Sequence, residues 1–200
     1  QNNANLGKSL VLTNLTFENC ESISMTGGSI ELRLTFTNRE GSLTFQGCSF
    51  ISGKATIKSS NEGGNGGGLG MSLNSIDKTA ITIENCKFIN NTADNYGGGI
   101  YLANSKPTVI IDSTFEGNQA GLGGGALYIC QEIIICEIHG CIFTNNTAAN
   151  NKGGALYIGP LRSSSSNICE IHGCIFKNNT ADNEGGAIAT QNLEDCIIEN

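Results

Sequence analysis

The sequence contains no tryptophan, and charged residues make up only 14% of its 200 positions. Its 11 Lys and Arg are outnumbered by 18 Asp and Glu, giving a net charge of −7. A chain so poor in cations is ill suited to nucleic-acid phosphate, so no nucleic-acid partner is expected. It has no apolar run of the ~18 residues that a membrane-spanning helix needs, so no membrane span is expected. Gln1-Asn2-Asn3 does not resemble a signal peptide, and the missing initiator Met suggests a processed chain or an excerpt from a longer precursor. No Cys-x-x-Cys occurs, which makes a zinc site a poor fit. Lys-Ser/Thr never follows the glycine clusters, which argues against a phosphate loop. No segment sustains a helical period, which leaves nothing to form helical crossovers.

A repeated cassette is present instead. Cys86-Lys87-Phe88-Ile89-Asn90-Asn91-Thr92-Ala93 leads to Gly97-Gly98-Gly99-Ile100. Cys141-Ile142-Phe143-Thr144-Asn145-Asn146-Thr147-Ala148 leads to Gly153-Gly154-Ala155-Leu156, and Cys174-Ile175-Phe176-Lys177-Asn178-Asn179-Thr180-Ala181 leads to Gly185-Gly186-Ala187-Ile188. Using phenylalanine as a ruler, Phe17, Phe50, Phe88, Phe115, Phe143 and Phe176 mark units of roughly 27 to 38 residues, a solenoid period. Within each unit, apolar and polar residues alternate over short runs separated by Asn, Gly, Asp and Ser. Two or three short strands per coil, without helices, predict an all-β fold: one right-handed parallel β-helix of about six to seven coils, spanning residues 1–200 as a single domain.

Each repeated position then becomes a column. Phe88, Phe115, Phe143 and Phe176 are expected to stack inside the coil, with Ala55, Ala93, Ala120, Ala148 and Ala181 at a tight corner. Asn91, Asn118, Asn146 and Asn179 form a ladder in which each amide bonds to the next. The glycine pairs serve a bend that needs positive φ or close approach.

The pairing of Phe-x-x-Asn (Phe88 with Asn91, Phe115 with Asn118, Phe143 with Asn146, Phe176 with Asn179) with Gly-Gly-Ala-Ile/Leu resembles the repeats of chlamydial polymorphic membrane proteins and of related β-helix surface proteins in protists. The resemblance is good over residues 80–200 and loose over 10–70. It implies a cell-surface, adhesive or structural β-helix and supplies no catalytic residue.

The nine cysteines fall into order. Cys48 with Cys86 and Cys141 with Cys174 share an inward column, and Cys136, Cys169 and Cys196 form a second. They are read either as buried small hydrophobes or as disulfides of a secreted protein. Glu137 and His139, with Glu170 and His172 one coil on, make an outward two-by-two patch that could relieve its repulsion with a cation. The competing reading is a solvated duplication, and no metal or other cofactor is assigned. Sequons begin at Asn14, Asn90, Asn145 and Asn178, the last three at one turn position. They are either glycan sites or simply the turn chemistry of the repeat.

These readings predict a non-enzymatic extracellular or cell-surface structural protein, glycosylated, that stacks head to tail into a fibre or continues as a longer solenoid, open at its C-terminal end. An adhesin or carbohydrate-binding module is the alternative, expressed through the variable loops near 70–80, 102–108, 129–136 and 158–168. A polysaccharide-active enzyme is a further alternative, although no general acid and base pair stands out along Thr82, Val109, Glu137 and Glu170 or along Glu84, Ile111, His139 and His172.

Overall fold

The computed structural model describes residues 8–23, 27–32, 40–57, 63–72, 78–103, 107–131, 135–150, 152–160, 168–191 and 195–199. The centres of the variable loops lie outside these residues. Among the described residues every strand pairs in parallel with its equivalent in the neighbouring coil, giving sheets of seven, six, six and six strands. The chain is a parallel β-helix with the right-handed coil that parallel crossovers adopt.

One coil shows how the sequence dictates this. Strand Lys78–Glu84 alternates, with Ile81 and Ile83 buried and Thr82 half-exposed. Asn85 then turns the chain with φ 52°. Strand Lys87–Ile89 buries only Phe88, Asn90 turns again at φ 54°, and strand Thr92–Ala93 buries Ala93. The glycine bend follows, and strand Ile100–Ala103 buries Ile100 and Leu102. Each coil thus holds four strands rather than the two or three expected. The difference lies in the Thr92–Ala93 type of strand, whose two residues are too few to show an alternation.

The positive-φ residues form two turn columns. One contains Asn14, Gly47, Asn85, Asp112, Gly140 and Gly173, and the other Asn19, Ser52, Asn90, Gly117, Asn145 and Asn178. Left-handed backbone is cheap only for Gly and for Asx residues that bond locally, so composition follows conformation here. At the glycine bend, Gly124 has φ +62°, while a Cβ on the adjoining Gly125 would lie 2.0 Å from the Gly154 carbonyl oxygen. The first glycine answers to conformation and the second to close approach of the next coil.

The core is a set of stacks. Phe17, Phe50, Phe88, Phe115, Phe143 and Phe176 lie ring over ring at 4.7 to 5.1 Å, with interplanar angles of 2° to 17°. Backbone register pairs Phe88 with Phe115 and Phe143 with Phe176, and carries the alanine column from Ala55 to Ala181. Each fully buried ring contributes roughly 2–3 kcal/mol.

Candidate functional site

The asparagine ladder is the most completely bonded feature of the interior. Asn146 Oδ1 accepts from the Asn118 backbone N–H and from Asn118 Nδ2, both at 3.0 Å. Its own Nδ2 donates to the Phe115 carbonyl and to Asn179 Oδ1, again both at 3.0 Å. Asn91 and Asn118 repeat the pattern against Phe50 and Phe88. In Asn118 and Asn146 both amide protons and both oxygen lone pairs are thereby satisfied inside the protein. In the preceding coil the ladder position is Gly53, whose N–H donates to Asn91 Oδ1 at 2.8 Å.

The sequon asparagines stand one residue before this ladder and face outward. Asn90, Asn145 and Asn178 are exposed at φ 54°, 56° and 54° in one turn column, whereas Asn14 belongs to the other turn. Asn90 Oδ1 sits 2.3 Å from where a Cβ of Gly117 would be, so the asparagine side chain leans over a coil that has no side chain at that position.

Seven of the cysteines occupy the two expected columns, Cys20 and Cys130 lie outside them, and all nine are free thiols. In the column Cys48, Cys86, Ser113, Cys141 and Cys174, each side chain donates to the carbonyl two residues back: Cys86 to Glu84 at 3.3 Å, Ser113 to Ile111 at 2.9 Å and Cys141 to His139 at 3.3 Å. A hydroxyl replaces a thiol there without changing the bond, which identifies the position as a turn donor. In the second column Cys136 stacks on Cys169 with sulfurs 2.9 Å apart, and Cys196 pairs next in register.

One thiol differs in acidity. Hydrogen bonds from the Cys141 thiol and, at 3.4 Å, from its backbone N–H, with His172 nearby, lower the Cys174 thiol to about 7, while Cys141 itself is pushed up. Cys196 is an exposed residue, yet partial burial of its thiol against Cys169 raises it to about 11. The thiolate is the nucleophile, so a lowered value makes it available at lower pH. Iodoacetamide should therefore modify Cys174 before Cys196 at neutral pH. Its rate should rise through about pH 7 rather than near the ~8.5 of an ordinary cysteine. Peptide mass spectrometry over a pH series will show this, and equal labelling of the two would contradict it.

The Glu–His patch assembles as expected. His139 and His172 stack at 5.1 Å and 4°. His139 lies 3.7 Å from Glu137, and His172 lies 3.6 Å from Glu170 and 3.7 Å from Glu199. The pairs run along an exposed face rather than across a cleft. Among the described residues no group of three or more His, Cys, Asp or Glu side chains is disposed to hold a metal ion.

A second outward cluster escaped the sequence analysis. All four tyrosines of the chain meet in one cluster, three on the fourth sheet and Tyr96 just before its glycine bend. Tyr101, Tyr128 and Tyr157 stack at 5.7 and 4.8 Å, and Tyr96 leans against Tyr128 at 4.5 Å with a 38° tilt. Burial pushes the Tyr101 hydroxyl up to about 12 and that of Tyr128 further, so both stay neutral donors. The signal was the shared offset after each glycine pair, obscured because Tyr96 comes from a different column.

Comparison with known proteins agrees with this architecture. The family described as right handed beta helix region matches residues 13–200. A probable autotransporter, YfaL, of Escherichia coli strain K12 is 33% identical over 97 residues, which are 45% of this chain and 7% of that protein. The chain thus spans a small fraction of that relative's length. No solved structure matches. Among the described residues no helix is long and apolar enough to cross a membrane.

Proposed function

The chain belongs to the right-handed β-helix family, and from that premise we propose that it is a non-enzymatic structural segment of an extracellular or cell-surface protein. The observation that carries this is the run of stacked phenylalanines and bonded asparagines passing from coil to coil. Such quasi-one-dimensional stacking makes a stiff rod. Similarity to a probable autotransporter supports a surface address, and the cassette's likeness to surface β-helix repeats is in keeping with it. Regular outward turns favour decoration: Asn90, Asn145 and Asn178 place three sequon side chains along one edge, where N-linked sugars would line the rod.

Lys54, Lys87 and Lys177 are exposed and provide the test. On intact cells making the natural full-length protein, a membrane-impermeant amine reagent should label all three. Labelling only after lysis would overturn the surface role. Release of new reducing ends from a polysaccharide panel would overturn the non-enzymatic part. In a secreting eukaryotic host, glycans should appear on Asn90, Asn145 and Asn178 but not on Asn91, Asn146 or Asn179. Bare sequons would leave turn conformation as the whole reason for these asparagines.

A further inference from the structure

The tyrosine cluster encloses a cavity that the scaffold role leaves unused. It holds about 160 Å³ and is lined by Tyr96, Gly123, Tyr128, Lys152, Tyr157 and Gln191. Its origin is a missing side chain. The residues preceding successive glycine bends are Asn65, Tyr96, Gly123, Lys152 and Glu184. They are joined coil to coil by bonds such as Gly97 N–H to the Gly123 carbonyl and Gly124 N–H to the Lys152 carbonyl. Gly123 therefore opens a slot one coil high between Tyr96 and Lys152, with Tyr128 behind it.

The fold does not demand this glycine. Gly123 lacks the positive φ of Gly124, and a Cβ there would meet the Lys152 carbonyl oxygen at 3.2 Å, Tyr128 at 3.7 Å and Tyr96 at 3.8 Å. The Lys152 carbonyl would have to give by a few tenths of an ångström, far less than the 2.0 Å approach faced by a Cβ on Gly125 would require. A side chain would cost that small shift and would fill the slot.

The chemistry of the walls narrows the occupant. Tyr128 is covered on both faces by Tyr101 and Tyr157, so the slot meets the Tyr128 edge and the Tyr96 ring, apolar surface ending in polar hydroxyl tips. The rim carries an ammonium, a carboxylate and a carboxamide: Lys152 Nζ lies 2.7 Å from Glu184, and the Tyr157 hydroxyl donates to Gln191 Oε1 at 2.7 Å. Because Lys152 is already paired with Glu184, the slot offers no uncompensated charge to an ionic ligand. The volume is well below that of pockets enclosing drug-sized molecules. A small ring with one C–H face and a rim of hydroxyls matches all three properties. We propose that this slot binds a single neutral pyranose unit of a glycan, its C–H groups against the Tyr96 ring and the Tyr128 edge and the hydroxyls on Lys152, Glu184 and Gln191. Binding requires the folded coil but not a surface address, so it can fail while the scaffold role stands, and the converse holds too.

The composition provides the assay. With no tryptophan and all four tyrosines in this cluster, intrinsic emission reports the site alone. The 200-residue chain is titrated with methyl β-glucopyranoside, methyl β-galactopyranoside and N-acetylglucosamine. At least one should give a saturable change with Kd on the order of 1 mM. Gly123→Leu should weaken it by at least about tenfold, and Gln191→Ala by a few-fold, with circular dichroism unchanged. If Gly123→Leu fails to fold, Tyr157→Phe decides, since it removes only a rim hydroxyl and should also weaken binding a few-fold. The proposal is overturned if no sugar saturates, if N-acetylphenylalaninamide saturates where the sugars do not, or if the slot variants bind as tightly as the parent.

Discussion

Alanine in place of Asn146 is expected to lower the unfolding free energy by about 4 kcal/mol, read as a shift of the urea midpoint at unchanged slope. Asn146 is fully buried. The substitution leaves the Asn118 N–H and one Asn118 amide proton without the oxygen they bond at 3.0 Å. It also removes the donors to Phe115 and Asn179. A buried donor stripped of its acceptor costs ~1–3 kcal/mol, more than the bond itself contributes. The neighbouring residue is the control. Asn145 is exposed at φ 56°, a conformation glycine adopts freely, so Asn145→Gly should change stability by no more than ~0.5 kcal/mol. Equal losses at the two positions would mean that the ladder carries no stability of its own.

Phe115→Ala is expected to cost about 4 kcal/mol, within the range for deleting a buried aromatic ring. Phe115 is fully buried between Phe88 at 5.0 Å and Phe143 at 4.7 Å. Deleting it removes two stacked contacts as well as the buried area, and neither neighbouring coil can collapse into the gap without breaking register. Phe17→Ala should cost about half as much, because Phe17 is only partly buried and is stacked on Phe50 alone. A loss at Phe115 no larger than at Phe17 would show that the stack is not the core.

What was legible in the sequence divides by how strictly a position fixes its residue. Phe, Ala and ladder Asn columns could be read directly because a ring, a methyl or a carboxamide recurs through most coils, although Gly53 takes the ladder position in one of them. The left-handed turns were legible only in part. Asn, Gly, Asp and Ser all satisfy them, as Asn85, Gly47, Asp112 and Ser52 show, and the two turn columns merged into one polar background. The thiol column was legible as a column but its role was not, because buried thiols and disulfides share one spacing; in the structure Ser113 makes the same bond to the carbonyl two residues back as Cys86 and Cys141. The tyrosine slot was hidden for another reason. Gly123 sits beside two glycines that the fold requires and is indistinguishable from them as a letter, and only the space around its Cα separates the roles. The third strand of each coil, two residues long at Thr147–Ala148, had no period to reveal it.

The central claim is a continuous rod held by internal amides, and hydrogen exchange of asparagine side chains tests it most directly. In ¹⁵N NMR spectra, the carboxamide protons of Asn118 and Asn146 should persist as long as core backbone amides, because they exchange only when coils separate. Those of Asn90 and Asn145, exposed on the adjoining turn, should exchange at the rate of free asparagine. Ladder carboxamides exchanging as fast as those of Asn90 and Asn145 would contradict the account.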